Sequence, residues 1–157
     1  MKTIAALGMT GLLAASTCAM AQEPELAAPW TKMAGGKAAA GTCSTDEASE
    51  VPTCYIVRCE DERLVFVVRE ADIGDLDPRR IRLKIGPYST VLTLTDGGKD
   101  ERIAPLDPSL LEALKTGETS VDLTAVEAAV DYSTAFDLTG AKSGIEAVEA
   151  ACRKSLN

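Results

Sequence analysis

Four cysteines are the residues of this chain whose type and number point most directly to a chemistry. The sequence contains five Cys, and Cys18 lies in an N-terminal segment that we expect to be removed, so Cys43, Cys54, Cys59 and Cys152 remain. An even number of cysteines in an exported chain predicts disulfides, here two. The alternative is a metal bound by four thiolates, and the spacings lack the paired C-x2-C knuckles that such a site uses.

Strand geometry excludes one of the three possible pairings of these cysteines. Cys54 and Cys59 are five residues apart in a segment with strand character, so their side chains point to opposite faces and their Cα atoms lie about 16 Å apart. Each of them therefore pairs with Cys43 or with Cys152. We favour Cys43–Cys54 as a local link and Cys59–Cys152 as a long closure, because Cys152 lies on an apolar helix face.

The chain contains no histidine, which removes the commonest general base, the commonest metal ligand and the Ser-His and Cys-His nucleophile pairs. Asp72, Asp75 and Asp77 are close in sequence, but their spacing and the missing closing Glu do not match an EF-hand. The carboxylates at 60–62 belong to a predicted hairpin tip, where exposed acids are common and a catalytic acid pair is not expected. We therefore predict no catalytic residue, no metal site, no cofactor and no enzymatic activity.

One strand of this acidic chain carries a local cluster of basic residues. The sequence has 16 Lys and Arg against 24 Asp and Glu, a net charge of −8, which argues against binding to nucleic acid or to an anionic membrane surface. Arg80, Arg82 and Lys84, here called the cationic row, alternate with three apolar residues and so belong to the outer face of a strand. Two interpretations stay open: a solvated, edge-protecting face, or a docking surface for an acidic protein or an envelope component.

The N-terminus predicts export. Lys2 is followed by an apolar run over residues 4–15 and by Ala19-Met20-Ala21, which is the order of a cleavable signal peptide. The run is shorter than the roughly 20 residues that cross a bilayer as a helix, so we expect no transmembrane anchor. We expect cleavage after Ala21, a periplasmic or secreted location and a mature net charge of −9; a lipidated Cys18 is the less fitting alternative.

The remaining residues suit one domain. We expect residues 22–50 to be a flexible or loosely docked segment and residues 51–157 to form a single β-rich domain linked by disulfides. Segments with strand composition or alternation occur throughout that domain, at 53–59, 64–70, 81–85, 91–95, 101–106, 121–123 and 129–138. The first two predict one hairpin, and the fourth and fifth predict a second.

Two helices complete the predicted fold. Asp107 as N-cap and Pro108 at the first helical position start a short helix near 108–116. Apolar residues at steps of four, three and four from Ala141 predict a C-terminal helix near 141–155. The fold class is therefore mainly β (α+β): an antiparallel β-sandwich or partly open barrel of five to seven strands with two helices.

The order of these features resembles a known family. The resemblance rests on the Cys-rich strand pair, on Leu-Leu-x-x-Leu-x-x-Gly at 110–117, and on Phe-Asp-Leu-Thr-Gly at 136–140 before a helix that contains Cys152. In order of elements, residues 30–152 resemble the invasion-associated locus B family of small Gram-negative periplasmic proteins, although Ala141 stands where that family would have Phe. The resemblance implies an envelope protein linked to host-cell invasion.

A second likeness covers residues 55–68. Its Tyr, Cys, polar turn and apolar strand are similar to the opening of periplasmic inhibitors of C-type lysozyme, although three residues separate Tyr55 from Cys59 where that family usually has one. An acidic chain would complement a basic lysozyme. We interpret the protein as an exported, non-enzymatic binding module of the periplasm or envelope, and the alternative is an inhibitor of a secreted hydrolase such as lysozyme.

Overall fold

The computed structural model describes residues 30–32, 38–44, 52–69, 80–117, 120–126 and 133–154. The expected signal peptide and the three aspartates at 72–77 lie outside these residues. The strands are β1 Thr31–Lys32, β2 Ala39–Ser44, β3 Thr53–Glu60, β4 Arg63–Arg69, β5 Arg80–Ile85, β6 Tyr88–Thr93, β7 Thr95–Gly98, β8 Glu101–Pro105, β9 Ser120–Ala125 and β10 Ser133–Asp137, and the helices are α1 Pro108–Thr116 and α2 Ala141–Lys154.

The strands form two antiparallel sheets. One has six strands in the order β1-β2-β3-β4-β8-β7, and the other has four in the order β10-β9-β5-β6. The chain passes from the four-stranded to the six-stranded sheet at the buried Leu94, between β6 and β7. This confirms the predicted class, an antiparallel β-fold of sandwich type with two helices.

Apolar residues at alternate strand positions build the core between the sheets. On β5 the alternation is complete, because Ile81, Leu83 and Ile85 are buried while the residues between them are exposed. Tyr55 of the six-stranded sheet stacks on Phe136 of the four-stranded sheet, with ring centroids 4.2 Å apart. The alternation of apolar and polar residues along a strand therefore determines which face of each sheet lies against the core.

Both helices close one side of this core. Asp107 caps α1 by accepting hydrogen bonds from the backbone N–H groups of Ser109 and Leu110, at 2.8 and 2.9 Å. Helix α2 packs on β2 and β3 and buries the predicted face, which consists of Ala141, Ile145, Val148 and Cys152. Among the described residues, no helix is long and apolar enough to cross a bilayer.

Part of the segment 22–50, which we expect to be flexible or loosely docked, is described by the structure and belongs to the domain. Residues 39–44 are not loosely docked, because β2 pairs with β3 along its whole length and Ala40 is buried in the core. Gly41 permits this approach, since a Cβ there would collide with the carbonyl oxygen of Tyr55. The ordered domain therefore includes strand residues that precede position 51.

The expected second hairpin is also placed differently. Residues 91–93 belong to β6, which pairs with β5 through the two-residue turn Gly86-Pro87, whereas β8 pairs with residues 95–98. Gly86 has φ 54°, the left-handed conformation that such a hairpin turn takes at its first position. With β1, β2 and the division of 88–98 into two strands, the described residues contain ten strands rather than five to seven.

Candidate binding face

The cationic row lies on the outer face of the four-stranded sheet. Arg80, Arg82 and Lys84 are the exposed residues of β5, a central strand between β9 and β6. The strand register places Arg82 opposite Val91 of β6 and Lys84 opposite Ser89 of β6. Since β5 is hydrogen-bonded to β6 on one side and to β9 on the other, the positions of the charges are set by a regular sheet rather than by a loop.

The half of this face that β5 and β6 form carries no acid. Its β6 residues are Ser89, Val91 and Thr93, all exposed, and Val91, with an exposed fraction of 39%, is the one large hydrophobic residue that the described part of the chain exposes to this degree. On the other half, Asp122 of β9 lies opposite Lys84. The positive charge is therefore concentrated towards the β6 edge.

Neither Arg82 nor Lys84 forms an ion pair within the residues that the structure describes. Other cations of the chain are used differently. Lys115 of α1, for example, contacts Glu149 of α2 at 3.4 Å and so connects the two helices. The two β5 cations have no comparable structural role and remain available for an anion.

A charged network on the outer face of the six-stranded sheet illustrates the structural use of arginine. Arg58 of β3 reaches across β4 and donates from Nη1 to Glu101 Oε2 of β8 at 2.8 Å. Arg69 of β4 donates from Nε to Glu101 Oε1 at 2.8 Å. Burial alone would raise the pKa of Glu101, but the hydrogen bonds and charges of the two arginines outweigh it and lower that pKa below its usual value.

Two concavities of the surface are alternative candidate sites. A groove of about 760 Å³ lies beside the β3–β4 turn and the end of β8, lined by Glu60, Asp61, Arg63, Leu64, Val65, Ile103, Pro105 and Leu106. A second, of about 470 Å³, lies between the β5–β6 turn and the end of α1, and is lined by Ile85, Gly86, Pro87, Tyr88, Ala113, Thr116, Gly117 and Ser120. The first has exposed carboxylates at a turn, and the second has no charged lining residue.

A candidate active site would combine convergent polar groups with perturbed pKa values in a sheltered pocket. No cluster of three or more potential metal ligands occurs within the described ranges. The described residues offer instead an exposed cationic surface on a regular sheet, which suits recognition of an anion.

The structure places all four candidate cysteines in disulfides, and the pairs are the favoured ones. Cys43 of β2 bonds Cys54, which lies directly opposite on β3, and Cys59 of β3 bonds Cys152 of α2 with Cα atoms 5.5 Å apart. Cys54 packs in the outer apolar cluster of the six-stranded sheet, whereas Cys59 packs against the inner core. The two β3 cysteines therefore do point to opposite faces.

Trp30 is a core residue and is only 5% exposed. Its Nε1 donates to the carbonyl oxygen of Asp137 at 2.8 Å and its backbone N–H donates to Thr139 at 2.9 Å. Trp30 thus ties the N-terminal strands to the end of β10 and does not present its ring to a ligand.

The comparisons with known proteins give one structural likeness. No family model and no curated protein sequence matches the chain. The solved structure of invasion associated protein B from Bartonella henselae matches with a TM-score of 0.38 and 15% identity, covering 83% of this chain and 99% of that chain. The name of that protein corresponds to the family that the order of sequence features resembles.

Proposed function

We propose that this chain is an exported, non-enzymatic binding protein of the periplasm or envelope that holds an anionic partner on the β5–β6 half of the four-stranded sheet. The observation that carries the proposal is the exposed pair Arg82 and Lys84, fixed on a regular strand and without an ion pair among the described residues. The two disulfides support an oxidising compartment for this role.

Charge distribution gives the face a second property. The chain as a whole carries a net charge of −8, which repels an anionic partner, whereas the cationic row is a local region that attracts one. Electrostatic complementarity of this kind mainly accelerates and orients encounter. Binding should therefore weaken as ionic strength rises, because exposed charges are screened over about 8–10 Å at physiological salt.

Affinity capture from envelope extract tests the proposal. The immobilised baits are wild type, an Arg82→Glu/Lys84→Glu variant, and a Lys99→Glu/Lys142→Glu control that has the same change in net charge at exposed sites far from β5 in sequence. We expect wild type and the control to retain the same salt-sensitive partners and the β5 variant to lose them. Identical partner sets for all three baits would show that the cationic row is only a solvated face.

A second candidate function is inhibition of a secreted hydrolase such as lysozyme. The β3–β4 turn favours it, because Asp61 and Glu62 are exposed there and both have positive φ, 45° and 65°, so two acids protrude on a tight hairpin turn. The same capture experiment separates the candidates. An inhibitor would retain a basic hydrolase on all three baits, whereas binding through the cationic row would not survive the β5 substitutions.

A further inference from the structure

The outermost strands of the two sheets differ in how well their open edges are protected. Natural sheets avoid accidental pairing by keeping edge strands short, bulged, charged or covered. Strand β1 has two residues, β7 has four with a register irregularity between Asp96 and Gly98, and β10 lies against β2. Three of the four edges are therefore blunted or covered.

Strand β6 has none of these protections among the residues that the structure describes. Its six residues keep an uninterrupted register with β5, and its sequence, YSTVLT, contains no charge and no proline and is rich in residues with high β-propensity. Within the described part of the chain, β5 is its only partner strand. A regular, uncharged and exposed edge of this kind is a template for one more strand.

Hairpin geometry shows which β6 groups face that edge. A two-residue turn closes on a hydrogen-bonded pair, here Ile85 and Tyr88, so alternate β6 residues direct their backbone groups towards β5 and the residues between them direct theirs outward. Ser89, Val91 and Thr93 are the outward set. The same alternation applies on β5, where Arg80, the residue opposite Thr93, directs its carbonyl oxygen away from β6 and accepts a hydrogen bond from the Val126 N–H.

We propose that an extended acidic peptide segment adds to β6 as a fifth strand, with its carboxylates directed to Arg82 and Lys84. The inference rests on the proposed function and specifies the partner's conformation. The added strand would lie about 10 Å from β5, two strand spacings away. The chain already contains an arginine that spans such a distance, because Arg58 of β3 crosses β4 to reach Glu101 of β8.

Charge favours this occupant over a second copy of the chain. Pairing of β6 with β6 of another copy would merge two cationic rows into one surface and bring together two bodies that each carry a net charge of −8. Both effects are repulsive. An acidic segment instead places negative charge beside Arg82 and Lys84, so it gains from the charges that oppose self-association.

The test uses the whole protein and a fluorescent octapeptide of alternating threonine and glutamate, measured by fluorescence anisotropy at low salt. Val91→Pro removes one outward N–H without removing a hydrogen bond to β5, and Val91→Thr is the control that keeps the N–H. We expect Val91→Pro to weaken peptide binding about tenfold or more and Val91→Thr to change it by less than about threefold.

Hydrogen exchange in the wild-type protein gives a readout that does not depend on a variant. Peptide addition should slow exchange of the Ser89, Val91 and Thr93 amides if a strand pairs with β6. Failure of the peptide to bind wild type would overturn the inference. A second contradictory result would be a peptide that binds, loses its binding in the Arg82→Glu/Lys84→Glu variant, and leaves the exchange of the three amides unchanged. That result would overturn strand addition, but it would support the proposed function as anion binding.

Self-association is the remaining outcome to exclude. Sedimentation of the wild type should show a monomer over micromolar concentrations. A dimer that Val91→Pro dissociates would assign the β6 edge to a second copy and overturn the proposed occupant. The capture experiment on envelope extract decides the wider proposal independently, because it does not depend on the octapeptide.

Discussion

Glu101 is a largely buried carboxylate that two arginines contact. It accepts hydrogen bonds from Arg58 and Arg69, and the side chains of Arg58 and Glu101 are only 11% and 13% exposed. The network lies on the same face of the sheet as Val67, which is fully buried. Removal of the carboxylate would leave the largely buried Arg58 guanidinium with only the longer contact to Glu60, at 3.4 Å, as its counter-charge, which is costly.

We expect Glu101→Gln to lower the free energy of unfolding at pH 7 by about 1–3 kcal/mol, because the arginines lose a charged acceptor. Glu112→Gln is the control: Glu112 also contacts a cation, Lys115, but its side chain is 65% exposed, so the loss should not exceed about 0.5 kcal/mol. Urea unfolding followed by fluorescence of Trp30, the one Trp of the chain, measures both. Equal losses would contradict a structural role for the network.

The same network predicts a pH dependence. Because folding lowers the pKa of Glu101, its contribution is present in full above the pKa of an unfolded Glu, about 4.3, and is lost as pH falls through the lower folded value. The stability difference between wild type and Glu101→Gln should therefore stay constant from pH 7 to about pH 5 and shrink below about pH 4. A difference that persists unchanged at lower pH would refute this assignment.

Among the elements, those that local sequence specifies were predicted well. The alternation of β5 gives both its buried face and the exposed cationic row, and helix α2 buries the expected residues from Ala141 to Cys152. Strand β2 was missed because its sequence, AAGTCS, has low β-propensity and becomes a strand only through packing between β1, β3 and α2. The contact of Arg58 with Glu101 was missed because 43 residues separate them, so no local pattern signals it.

Helix α1 offers a prediction at this scale. Asp107 satisfies two backbone N–H groups at the helix start, and in a helix of nine residues the first turn is a large share of the element. We expect Asp107→Ala to lower the free energy of unfolding by about 1 kcal/mol, and Asp107→Asn, which keeps a capping oxygen, to cost much less. Urea titrations compare the three proteins. A full loss in the Asn variant would show that the cap is not the reason.

For the molecule as a whole, we expect the two disulfides to contribute unequally to the free energy of unfolding. Cys43–Cys54 joins neighbouring strands across a sequence separation of 11 residues, whereas Cys59–Cys152 joins the sheet to α2 across 93 residues. A cross-link that closes a longer loop removes more entropy from the unfolded chain. The chain-entropy relation gives about 3 kcal/mol for the short loop and about 5 kcal/mol for the long one.

We therefore expect Cys59→Ala/Cys152→Ala to destabilise the protein more than Cys43→Ala/Cys54→Ala. The comparison is made by urea unfolding of both double variants and of wild type, without reductant. A larger loss from the short pair would mean that native packing around β2, rather than loop closure, determines the ranking.

The positions of the disulfides also determine how the molecule responds to a cut in its backbone. The two covalent rings are consecutive along the chain, since Cys43 and Cys54 both precede Cys59. Hydrolysis of any single peptide bond between Cys59 and Cys152 leaves one covalent molecule, with α2 still linked to β3. A protease that cuts within that span opens the chain without releasing either part, and reduction of Cys59–Cys152 is then the step that removes the last covalent link between them.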